Sequence, residues 1–184
     1  MALFALLSQT QLLHSSVEIG SISEVRGNAQ VLRDKPYGAE LKFNIQQMDD
    51  VRTEAGRVAI TFEDESTVKL TEHSKLVIDE YIYDPDPSKS KMALKFASGT
   101  ARFITGKFNN KEGISIRTPS ADIAIRGTDF TCTVDELGRS LVILLPDENG
   151  LSSGEILVST AMGSVTLNKP YQATTVSVYE NNPS

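Results

Sequence analysis

The amino-acid sequence predicts an all-β domain. Three observations carry that prediction. Apolar residues alternate with polar ones at period 2, the alternating runs arrive about every ten residues with turn formers between them, and β-branched side chains dominate the runs. The finer architecture the pattern predicts is a β-solenoid-like fold or twisted β-sandwich built of many short strands. A short N-terminal helical or irregular segment precedes it.

The elements follow in chain order. Ala2 to Leu7 is apolar, Gln9, Thr10 and Gln11 interrupt it, and residues 2–13 are the one helix candidate. A secretory leader needs a basic start, a longer apolar stretch and a small-residue cleavage site, whereas the first basic residue here is Arg26. Export by its own signal is therefore not predicted, and no run reaches the roughly 18 apolar residues of a membrane-spanning helix. Residues 1–16 are read as a docking arm, for a partner or for the domain's own core. Residues 17–180 form one β domain, and 181–184 a tail.

Val58, Ile60 and Phe62 open the clear alternation. It recurs at Val68 and Leu70, Leu76 and Ile78, Ile114 and Ile116, and Ile123 and Ile125. Ile156 and Val158, Val165 and Leu167, and Val176 and Val178 continue it. Asp84-Pro85-Asp86-Pro87-Ser88 cannot continue a central strand, because each proline lacks a donor and restricts its predecessor. Phe108 to Gly113 and Pro146 to Gly150 are turn chemistry. An internal echo links Gly56-Arg-Val-Ala-Ile to Ser66-Thr-Val-Lys-Leu, and Gly154-Glu-Ile-Leu-Val to Ser164-Val-Thr-Leu, each ten residues on. Gly99-Thr-Ala-Arg-Phe-Ile has the form of a third corner, with glycine where the chain must bend.

A formal net charge of −6 argues against a nucleic-acid partner, which calls for a basic surface. The densest basic stretch, Lys89 to Lys95, reads as a solvated loop and strand edge. The single cysteine, Cys132, excludes an internal disulfide and shares the apolar phase of its strand with Phe130 and Val134.

Thr118-Pro119-Ser120-Ala121-Asp122-Ile123-Ala124-Ile125-Arg126-Gly127-Thr128-Asp129-Phe130 closely resembles the central motif of the FecR domain family. Other features lie in the family's order. They are Val25-Arg26-Gly27, Val51-Arg52-Thr53 with Val58 to Phe62, Gly99 with Arg102-Phe103, and Gly154 to Val158. The likeness runs over roughly residues 17 to 178. Two turns depart from it. The family's Asp-Gly-Ser reads Asp64-Glu65-Ser66, a turn expected to avoid a glycine-dependent conformation, and its Gly-Asp reads Asp49-Asp50.

The motif's residues predict a partner-binding or structural corner. Pro119 fixes φ and starts a strand, Gly127 permits a bend, and Thr128 or Asp129 can bond a backbone amide. Arg126 offers a fork of donors to a carboxylate or carbonyls. The candidate site is thus Thr118, Pro119, Arg126, Gly127, Thr128, Asp129 and Phe130. No nucleophile, base or metal set accompanies it, so no catalytic residue, cofactor or metal is predicted. His73 reads as a turn residue, and the acidic groups Asp49, Asp50 with Glu54, and Glu63 to Glu65, as soluble turns.

What the resemblance implies is a non-catalytic protein-interaction module. The expectation is a structural component bound to other protein subunits in a larger assembly, a phage virion. The alternative is a periplasmic or envelope sensor domain relaying receptor signals to a sigma factor. A second alternative is a surface or carbohydrate-binding module, disfavoured by five Tyr and no Trp.

Overall fold

A computed structural model describes residues 18–84, 86, 89–107 and 113–178. The predicted N-terminal helix, the docking arm and the tail lie outside the described residues. Within them the chain is all-β: fourteen strands join one hydrogen-bonded sheet. The strands are β1 (Glu18–Leu32), β2 (Pro36–Gly38), β3 (Asn44–Gln46), β4 (Asp50–Phe62), β5 (Thr67–Leu70), β6 (Lys75–Ile82) and β7 (Lys91–Ile104). They continue with β8 (Ile114–Arg117), β9 (Asp122–Arg126), β10 (Asp129–Val134), β11 (Ser140–Leu144), β12 (Glu155–Thr160), β13 (Gly163–Leu167) and β14 (Ala173–Val176).

The expectation of short strands throughout is corrected at β1, β4 and β7, which are 15, 13 and 14 residues long. Each bends midway and serves two halves of the sheet. The first half of β7 pairs with β6 and, in parallel, with β8; its second half pairs with β5 and β10. β4 divides likewise between β6 and β5, and β1 accompanies it along nearly its whole length. The bends fall at glycines. Gly27 and Gly56 face each other across β1–β4, so close that a Cβ on Gly56 would lie 2.5 Å from the Asn28 carbonyl oxygen. Gly99 bends β7 with φ +91°.

The inward phase of alternation changes at these bends. In β7 it passes from Met92, Leu94 and Phe96 to Ala101 and Phe103. The two halves of β7 thereby fold onto each other, and the Phe96 ring meets Phe103 edge-on at 5.9 Å. Phe103 stacks in turn on Phe130 at 5.0 Å. One apolar cluster runs from Ile22, Ile60 and Val68 to Ile116, Ile123 and Val158. Burying it is the main driving force for folding.

The hairpin echo is real in structure: β4–β5 and β12–β13 are antiparallel hairpins. One turn departs from expectation. Glu65, between β4 and β5, takes φ +68°, the left-handed conformation expected to be avoided there. Its neighbours hold it in place, since buried Asp64 accepts hydrogen bonds from the Ser66 amide (3.2 Å) and hydroxyl. The buried Tyr81 hydroxyl donates to the same carboxylate.

Candidate functional site

The structure divides the motif between the two ends of β9, separated by ~17 Å at about 3.3 Å per residue. At one end, Thr118 closes the β8–β9 turn. Its hydroxyl accepts from the Ala121 amide (3.0 Å) and from the Ser140 hydroxyl (2.8 Å), and donates to the Ala121 carbonyl (3.1 Å). Pro119 lies exposed in that turn beside Gly138 rather than starting a strand, because Thr118 turns the chain before β9 begins. This end is a satisfied, buried hydroxyl network completed by Ser120.

At the other end, Arg126 to Phe130 make the bend between β9 and β10. Gly127 takes φ +57° with open space where a Cβ would stand. Thr128 pairs with Thr105, its amide donating to the Thr105 hydroxyl (3.1 Å) and its carbonyl accepting from the Thr105 amide (2.9 Å). The Thr128 hydroxyl itself is buried and, among the described residues, has no partner. Phe130 is fully buried and anchors the bend in the core.

Asp129 receives two bonds from Arg102, from Nε (2.8 Å) and Nη2 (2.5 Å), and this contact raises the guanidinium's affinity for its proton. The Ser153 hydroxyl accepts from the Asp129 amide (3.0 Å) and donates to the Leu145 carbonyl (2.7 Å). An open groove of about 530 Å³ lies alongside, lined by Arg102, Thr105, Gly127, Asp129, Pro146 and Ser153 among others. The Arg126 side chain points outward from β9, exposed, and makes no hydrogen bond or ion pair with a described residue. The site therefore presents a guanidinium, exposed and unpaired among the described residues, on a bend that Phe130 anchors in the core.

Arg102, Ser153 and Gly154 complete this bend without having been predicted for it. A Cβ on Gly154 would lie 2.1 Å from the Gly127 carbonyl oxygen and 2.3 Å from that of Arg126. The glycines at 127 and 154 were legible singly as corners, but their contact comes from the β9–β12 pairing.

The remaining candidates resolve into structure. Cys132 is fully buried, and burial pushes its thiol up to about 12. His73 occupies the β5–β6 turn. The acidic groups are not simply solvated turns: Asp49 and Asp64 are both fully buried. Arg33 donates to Asp49 from Nε (2.7 Å) and Nη2 (2.8 Å), while its guanidinium sits 5.6 Å from the Phe43 ring centre. Lys91 and Lys95 of the basic stretch pair with Glu80 and Asp79, each at 2.8 Å. Among the described residues no group of three acidic, His or Cys side chains is placed to hold a metal ion. No helix among them is long and apolar enough to cross a membrane.

Comparison with known proteins adds three findings. A family model described as FecR protein matches residues 49–166. Two crystal structures of a "putative anti-sigma factor" from Parabacteroides distasonis share this fold, each with a TM-score of 0.55 at 16% identity. The match covers 73% of this chain and 57% of that one. No curated protein matches the chain. The family match overturns the expectation of a virion component. That expectation rested on recognising neither a leader nor a membrane anchor, and an absence carries no weight against a positive family match. The family match favours the signalling alternative instead.

Proposed function

The chain belongs to the FecR protein family, and from that premise we propose that it is a non-catalytic regulatory domain of bacterial signal transduction. It works by protein contact at the cell envelope, relaying the state of a receptor toward a sigma factor. The family match over residues 49–166 carries this reading, and the fold shared with the Parabacteroides distasonis protein supports it. The bend at Gly127 suits such a role. It offers an exposed Arg126, unpaired among the described residues, able to form a forked pair with a partner's carboxylate.

Two finer assignments go with this proposal. The twisted-sandwich description suits a sheet whose three long strands cross between facing halves, with Phe96 against Phe103. The unit of function is residues 17–180, with 1–16 as an arm for docking and 181–184 as a tail.

The test is transcriptional. Overexpressing or deleting the chain in its own organism is expected to change one set of sigma-dependent transcripts. Arg126→Ala is expected to blunt that change while the purified variant melts at the parent's temperature. Unchanged transcripts on both overexpression and deletion would remove the signalling assignment.

A further inference from the structure

The register of the sheet sets like charges side by side on one outer face. Arg26 lies directly opposite Arg57 across β1–β4, and Lys69 directly opposite Arg102 across β5–β7. Because Ala59 is opposite Lys69, and side chains alternate along a strand, all four cations share the face that carries Ala59. Directly opposed like charges weaken a sheet. Local stability therefore gives no reason for this arrangement, and neither does a chain whose net charge is −6.

Nearby carboxylates neutralise the face only in part. Arg102 is held by Asp129, but Arg57 reaches Glu72 only at 3.8 Å and Arg26 reaches Glu24 at 3.4 Å. The Lys69 ammonium has neither a hydrogen bond nor an ion pair with a described residue. Between these side chains runs a groove of about 290 Å³, lined by Glu24, Arg57, Ala59, Lys69, Arg102 and Thr131 among others. Its floor is apolar: Ala59 points outward, yet the flanking side chains leave it 5% exposed.

We propose that this face docks an extended acidic segment of a protein partner, with carboxylates on Lys69 and Arg57 and apolar side chains over Ala59. The inference rests on the chain being a protein-interaction module, and it names the chemistry of the partner. Arg102 joins this face to the bend at Gly127, so a segment lying here reaches the motif.

The test uses the full chain and a fluorescein-labelled peptide of alternating glutamate and valine, read by anisotropy at low and high salt. A lysine-for-glutamate peptide and heparin serve as comparisons. The acidic peptide is expected to bind, and more weakly as salt rises. Lys69→Glu is expected to weaken binding by roughly tenfold or more. The same variant melts no lower than the parent, because it turns repulsion by Arg102 into attraction. Lys169→Glu, between β13 and β14, leaves binding unchanged.

No binding of the acidic peptide, or indifference to Lys69→Glu, overturns the proposal. So does heparin binding tighter than the peptide, which marks a general polyanion surface. Failure of the signalling assignment reads differently. Peptide binding would then follow Lys69 while transcripts ignore the chain.

Discussion

Gly154 sits so tightly under Gly127 that a Cβ on the first would stand 2.1 Å from the carbonyl oxygen of the second. The two glycines serve opposite needs. Gly154 supplies absence of bulk, and Gly127, with open space around it, supplies only the left-handed φ of +57°.

Substitution separates the two needs. Gly154→Ala has to displace backbone and is expected to cost about 2–3 kcal/mol, as overpacking does. Gly127→Val pays for left-handed backbone in a β-branched residue, at least about 1–2 kcal/mol. Gly127→Asn is expected to be nearly neutral, since Asn tolerates that conformation. Urea denaturation of the three variants gives the ranking. Gly127→Asn as damaging as Gly127→Val would mean that the position is packed rather than merely bent.

Arg33 and Asp49 predict an asymmetric pair of variants. Asp49 is fully buried, whereas the Arg33 side chain keeps 28% of its surface exposed. Arg33→Ala strands a buried carboxylate and is expected to cost roughly 3–5 kcal/mol. Asp49→Asn leaves an arginine that can turn to water and keeps an acceptor for the Gln46 amide, so about 2 kcal/mol is expected. Denaturation midpoints of the two variants decide it, and an Asp49→Asn loss equal to that of Arg33→Ala contradicts the burial asymmetry.

These pairs mark where the sequence stops speaking. Hairpins such as β4–β5 were legible because Val58 to Phe62 and Val68 to Leu70 alternate cleanly around a short turn. The family motif was legible as a contiguous string. Its division between two ends of β9 was not, because string order conceals that Thr118 closes one turn and Gly127 opens another. The bends in β4 and β7 did leave a trace. The inward phase moves from Val51 and Thr53 to Val58 and Ile60, and from Phe96 to Ala101. Short windows read that phase change as the end of one strand and the start of the next. Arg33–Asp49 and Arg102–Asp129 left no trace, being 16 and 27 residues apart and joined only by the folded sheet.

Glu65 carries a local cost that one substitution relieves. At φ +68° a non-glycine residue pays roughly 1–2 kcal/mol, partly offset when glycine is introduced by the greater freedom of the unfolded chain. Glu65→Gly also removes the ion pair with Lys107, but both side chains are more than half exposed and little is lost. A net gain of about 0.5–1 kcal/mol is expected, visible as a higher melting temperature. A lower one would show that the Asp64-Ser66 clamp, not the glutamate's backbone, sets the cost of the turn.

Cys132 makes the stability of the fold fall on the alkaline side. Burial raises the folded thiol from 9.0 to about 12, while in the unfolded chain it ionises near its ordinary value. Below that ordinary value both states hold the proton, and the thiol adds no pH dependence. Between about pH 9 and about pH 12 the unfolded chain releases a proton that the folded chain keeps, so stability falls as pH rises, by up to about 1.4 kcal/mol per pH unit. The buried Tyr81 phenol, also raised chiefly by burial, adds to the loss at higher pH. In Cys132→Ala only the thiol contribution disappears. The parent's advantage over that variant is therefore expected to shrink by about 1 kcal/mol between about pH 8 and about pH 10. Urea titrations at the two pH values measure it. A constant difference, or rapid labelling of native Cys132 by a thiol reagent near neutral pH, would show that the thiol is reached by water in the folded chain.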